Sequence, residues 1–285
     1  MPRIRPRSPR CWCARGNRSR ISPATALRWK ASITATSPRP PEEPTMLHRY
    51  LLAEILKLRR SLALMLCVTA PGCVALLGTI IAFDKKVPVN LTAFVMTGPG
   101  IWSFVMLPLA ITALSVLMAQ MEHGSRNWNH LLTLPGARPN VFLAKAIVML
   151  GLVAAMSALL FLFMLGGAGL LTLLHPIGVT GQPDYGALAG RLGLMAVSCT
   201  LVSMMQLWVA LANRSFVVPL VFGIGGTFVG IGTFGATKAA WFPWLLAAGM
   251  LSNKPAIQQL GWMLGGLGGI AVLAAMLLHM SRREA

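Results

Sequence analysis

The chain has 285 residues, of which 55% are apolar and 11% charged, with a mean hydropathy of +0.68 and a formal charge of +18. An ordinary soluble domain is about one quarter charged, so this chain lacks the polar side chains to cover a water-facing surface. That excludes a soluble enzyme and a disordered polymer, and it points to an integral membrane protein.

Residues 1–45 hold ten Lys/Arg and two Glu, a net of +8. This segment is rich in Arg, Ser and Pro and has no apolar stretch, so it does not read as a secretory signal. It superficially matches an organellar transit peptide, but its prolines oppose the amphipathic helix such a peptide needs. It is read as a disordered basic extension without a role, with Met46 as the functional start. Five cysteines (Cys11, Cys13, Cys67, Cys73, Cys199) show no zinc spacing and are odd in number, which argues against a disulfide framework or metal site. The pair Cys11 and Cys13 is either a soft-metal site or incidental, and the second is preferred.

From Met46 to Arg60, Leu47, Leu51, Ile55 and Leu58 recur at helical spacing, with Arg49, Lys57 and Arg60 on another face. The pattern predicts an amphipathic helix in the cytoplasmic interface, its basic heads reaching lipid phosphate. A plain positive flank is the alternative.

Crossing about 30 Å of hydrocarbon takes about 20 apolar residues. Six stretches approach this: 61–83, 97–120, 146–174, 192–212, 215–233 and 260–278, none with Asp, Glu, Lys, Arg or His inside its limits. The long Leu/Ala/Met runs suit helices better than barrel strands. The third is expected to tilt or break at Gly166-Gly167. Six spans put both termini on one side. Arg49, Lys57, Arg59, Arg60, Arg126, Arg138, Lys145, Arg214, Arg282 and Arg283 then face Lys85, Lys86, Arg191, Lys238 and Lys254 across the membrane. The excess of positive charge places the termini in the cytoplasm.

Between spans two and three, Ser125 is suited to cap a short helix from Arg126, and Pro135-Gly136 to end it. Trp128, Leu131 and Leu132 would cluster on its one side, as a knob for a partner's pocket or as a rest on the bilayer. Trp241 to Leu251 is too short to span. It is read either as a re-entrant outer segment, with Trp241 and Trp244 at headgroup level, or as an ordinary aromatic belt. In span four, Cys199, Ser203 and Gln206 share a face. They are candidates for a substrate path, although hydrogen bonds between helices are the simpler expectation. Gly261, Gly265 and Gly269 in span six, and Gly226 and Gly230 in span five, allow close helix packing, expected mainly within the chain.

Proton-coupled carriers need ionisable groups at mid-membrane, which these spans lack. No catalytic constellation, metal set or H-E-x-x-H pattern is present in the sequence, nor a phosphate-cradling G-x-x-x-x-G-K-[ST]. If the protein moves cargo uphill, the energy must come from another polypeptide.

The segment Leu51, Glu54, Lys57, Arg59 and Arg60, followed after the second span by Glu122, Gly124, Trp128, Leu131, Pro135 and Arg138, resembles the permease subunits of ABC-2 type exporters. The lantibiotic-immunity and bacitracin-export branch is the most similar. The resemblance covers about 240 residues, from Met46 to Ala285, and leaves out the tail. It implies an all-α polytopic membrane protein: six transmembrane helices, an N-terminal interfacial connector helix, a cytoplasmic coupling helix and a short re-entrant outer segment. Glu122, Gly124, Trp128, Leu131, Leu132, Pro135 and Arg138 would then couple to an ATP-hydrolysing subunit present in two copies. A second permease copy or a paralogue would complete the assembly, in the bacterial cytoplasmic membrane. The expected function is export of an amphipathic peptide, drug or lipid-like substrate, with ATP and Mg on the partner, no cofactor in this chain and no nucleic acid bound. The alternatives are a self-sufficient carrier or channel, a membrane scaffold without transport, and, least favoured, an intramembrane enzyme.

Overall fold

The computed structural model describes residues 46–59, 61–123, 139–175, 177–236 and 239–283. The expectations for residues 1–45, for Arg60, and for Gly124, Trp128, Leu131, Leu132, Pro135 and Arg138 concern residues outside that set.

The described residues are almost wholly helical. Helix α1 (Met46–Leu58) leads through a corner at Ser61 into α2 (Leu62–Phe83). The Ser61 hydroxyl makes the corner: it accepts from the Ala63 N–H at 3.2 Å and donates to the Leu58 carbonyl at 3.0 Å. The next span is built from α3 (Leu91–Ile101), a π-helical turn (Trp102–Met106) and α4 (Leu107–His123). Pro108 stands two residues after the π turn and has no N–H to give the regular ladder; a widened turn absorbs that break. Helix α5 (Pro139–Leu174) is followed by α6 (Tyr185–Ser198) and α7 (Thr200–Ala212), which continue one another across Cys199. Helix α8 (Val217–Thr233) leads into two 3₁₀ turns (Ala239–Trp241 and Pro243–Leu245), the short α9 (Leu246–Gly249), and α10 (Pro255–Arg283). A two-residue parallel bridge, Val89–Asn90 (β1) with Val179–Thr180 (β2), ties the α2–α3 and α5–α6 connections together.

Among the described residues, five helical stretches are long and apolar enough to cross a membrane: Leu62–Phe83, Leu91–Glu122, Pro139–Leu174, Tyr185–Ala212 and Pro255–Arg282. The remaining expected span, 215–233, is the shorter α8 of 17 residues, about 25 Å at 1.5 Å per residue. The second and fourth stretches begin six to seven residues earlier than hydropathy suggested. Asn90 and Asp184 explain this, because each side chain caps its helix by accepting from the N–H three residues on. Helix α5 does not break at Gly166-Gly167. It runs 36 residues without interruption, since in hydrocarbon a broken ladder leaves backbone groups with no water to satisfy them.

Helix α5 is the central element. Met149, Val153, Met156, Leu160, Met164 and Leu171 lie on its buried face at helical spacing. Side chains such as Leu62, Met65, Leu76 and Ile80 on α2 remain outward and apolar, as a lipid-facing surface requires. Close approach fixes two other contacts. A Cβ on Gly265 of α10 would run into the backbone of Ser198, and one on Gly269 into Thr200, so α10 lies directly on the α6–α7 junction. Gly226 of α8 makes room for the Trp244 indole. Trp244 is therefore buried, stacked on Phe242 and edge-on to Phe222. Trp244 thus packs inside the chain and is not presented outward as an interfacial anchor would be, while Trp241 is exposed.

Candidate functional site

Four charged side chains meet where α1, the end of α4 and the start of α5 converge. Lys57 Nζ donates to Glu54 Oε1 at 2.9 Å and to Glu122 Oε1 at 2.8 Å. Lys145 Nζ donates to Glu54 Oε2 at 2.7 Å and to Glu122 Oε1 at 2.8 Å. Each lysine bridges both carboxylates and each carboxylate bridges both lysines, so the four form a closed ring with no net charge.

The local sequence explains the placement. Glu54 and Lys57 are one helical turn apart on α1 and face the same way. Glu122 stands in the last turn of α4, the end at which the helix dipole disfavours an acid. The two ammonium groups offset that penalty. The Lys145, Glu122 and Glu54 side chains are 2%, 2% and 6% exposed, whereas Lys57 is 35% exposed. An isolated charge at such depth is costly, and the set is tolerable only because it is mutually paired. Burial by itself would lower the pKa of Lys57; its hydrogen bonds to Glu122 and Glu54 and their negative charges outweigh that and raise it above the ordinary 10.5.

The expected picture of α1 changes accordingly. Lys57 turns inward to the ring and does not reach for lipid phosphate. Glu54 and Leu58 form the packed face with the half-buried Leu51, while Ile55 is exposed beside Leu52 and Leu56. Arg59 is exposed. Glu54, Lys57 and Glu122 were singled out by the sequence as parts of two separate features; the structure joins them. Lys145 was read only as one of the inner positive charges. The signal that pointed to it was Glu54 and Glu122, two acids at the rim of an otherwise basic membrane face, which demand bases within reach.

The ring links α1 to both stems of the segment 124–138. It holds no nucleophile. Among the described residues no group of three or more His, Cys, Asp or Glu could hold a metal ion. What it does in the fold is tie α1 to the end of α4 and the start of α5 through paired charges.

Cys199, Ser203 and Gln206 are buried inside the chain. Gln206 Nε2 donates to the Pro219 carbonyl at 2.6 Å and joins α7 to α8. Further toward the chain's end, the Trp208 indole N–H donates to His279 Nδ1 at 3.0 Å, joining α7 to α10.

Among curated proteins, no sequence matches the chain. A family model described as ABC-2 family transporter protein matches residues 50–230, a stretch that takes in all four ring residues and more than half of the chain. With its apolar spanning helices, the chain therefore belongs to the ABC-2 family of transporter proteins, as a multi-pass membrane permease.

Proposed function

We propose that the chain is the membrane subunit of an exporter of the lantibiotic-immunity and bacitracin-export type, in the bacterial cytoplasmic membrane with both termini in the cytoplasm. It moves an amphipathic peptide, drug or lipid-like cargo with ATP hydrolysed on two copies of a separate subunit. A second permease copy or a paralogue completes the passage. The observation that carries this reading is the buried ring of Glu54, Lys57, Glu122 and Lys145. A charged cluster at the foot of otherwise uncharged spans fits a mechanical role, because apolar packing would hold the same helices at less electrostatic cost.

In this reading Gly124, Trp128, Leu131, Leu132, Pro135 and Arg138 form the handle that docks on the ATPase, with Glu122 at its root. The ring carries the handle's movement into the connector helix α1, with Leu51 packing that helix onto the core and Arg59 and Arg60 anchoring it at the bilayer. Cys199, Ser203 and Gln206 would meet cargo when α7 and α8 part, since Gln206 now bonds the Pro219 carbonyl.

A tagged chain extracted in gentle detergent should bring down a nucleotide-hydrolysing subunit. Trp128→Ala or Leu131→Asp should abolish that association and leave the fold intact. Recovery of the chain without any such partner, or cargo flux through vesicles holding this chain alone, would contradict the proposal.

A further inference from the structure

At the end of the bundle opposite the ion ring, a cleft of about 530 Å³ opens between the π turn, the end of α8 and the start of α10. Its size is that of a site for one drug-sized apolar body. Phe104, Phe234, Leu245, Leu251 and Ile257 supply the apolar walls. Phe104 and Phe234 meet edge to face at 4.6 Å and 88°. Glycines and alanines make up most of the rest of the lining, so the space exists because large side chains are missing from it. Gly235 adopts φ +93° there, a left-handed conformation that favours glycine at the end of α8.

The charge around the mouth has one sign. Lys254 lines the cleft and is exposed, beside Ser252. Among the described residues, no acidic residue lines it and Lys254 has no carboxylate partner. Ser252 is held in place: its hydroxyl accepts from the Lys254 N–H and its carbonyl accepts from Gln258 Nε2. An apolar slot with a fixed polar rim and an unpaired ammonium group complements one kind of molecule, a tail with a negative head.

We propose that this cleft binds a single-chain anionic amphiphile, its tail between Phe104 and Ile257 and its head at Lys254. The site stands independently of the ATP-driven reading, because it requires only the folded chain. Two ordinary chains would exceed the volume, so a diacyl lipid is the poorer fit.

The test uses the full chain in nanodiscs of neutral lipid and a photoreactive hexadecanesulfonate as probe. Hexadecanol, hexadecyltrimethylammonium and an anionic diacyl lipid, each with the same photoreactive tail, serve as comparisons. The sulfonate should label peptides containing Phe104, Phe234 or Ile257, about three- to five-fold more than the alcohol, as expected for one exposed charge contact. Lys254→Glu should remove that advantage and favour the ammonium probe. Ala240→Trp, at a half-exposed lining position, should suppress all single-chain labelling of the cleft. Equal labelling by sulfonate and alcohol would overturn the head-group assignment. Equal labelling by the diacyl lipid would overturn the single-chain assignment. Labelling unaffected by both variants, or spread evenly along the lipid face of α2, would show bulk lipid contact only. No labelling in any arm, with cross-linking between two copies through Phe234, would assign the cleft to a second permease. Each of these four results contradicts the proposal.

Discussion

Two junctions in this bundle are built in opposite ways. Where α1, α4 and α5 meet, four long charged side chains fill the gap, and the geometry depends on hydrogen bonds of 2.7–2.9 Å. Where α10 crosses α6 and α7, side chains are absent, and Gly265 and Gly269 let backbone lie on backbone. The first junction discriminates by charge and can be released by moving one partner. The second is a steric fit with nothing to switch. In the proposed function the steric fit would be the fixed seat and the ion ring the part that moves.

Single substitutions sharpen the contrast. Lys145→Met should have the largest effect, because it leaves two buried carboxylates sharing one half-exposed lysine; loss of one partner from such a set costs about 3–5 kcal/mol. Thermal unfolding in detergent should show it, and high salt should not reproduce it, since a buried ring is poorly screened. Gly265→Val should follow at about 1–3 kcal/mol, the usual cost of overpacking, and should be indifferent to pH. A Gly265→Val protein as stable as wild type would remove the steric half of the comparison. Gln206→Leu should cost about 0.6–2 kcal/mol, the range of a hydrogen bond between helices in a bilayer, again read by thermal unfolding.

The smallest effect is a pH slope. Lys57 has a raised pKa in the fold, so its contribution is complete below the unfolded value of about 10.4 and disappears as pH rises through the higher folded value. Wild-type stability should therefore fall above that pH more steeply than that of Lys57→Met. Parallel curves would mean that the lysine gains nothing from the ring.

The parts of this architecture that were legible in the sequence are those fixed by one helix at a time. Apolar runs announce spans, because the bilayer leaves the backbone no alternative to helix. Glu54, Lys57 and Glu122 stood out by position along the chain. Lys145 did not, because a lysine at the foot of a span looks like any other inner positive charge. Its partners lie 91 and 23 residues away, and only tertiary packing brings them together. Trp244 was misjudged for a related reason. An aromatic beside an apolar stretch resembles an interfacial anchor until Gly226 is seen to open a slot for it. Gly166-Gly167 suggested a break by local propensity, and the membrane overrode that preference.

The ring's mechanical role is best tested by removing its charge without removing its shape. The variant Glu54→Gln/Lys57→Met/Glu122→Gln/Lys145→Met leaves no buried charge unpaired and is expected to fold. Assembled with its ATPase subunit in nanodiscs, it should bind that subunit in the wild-type ratio. Its permease-stimulated ATP hydrolysis should nevertheless drop about ten-fold, which is about 1.4 kcal/mol of activation free energy. Wild-type hydrolysis in the charge-free variant would show that the four residues only hold the helices together, and that movement reaches the membrane by another route.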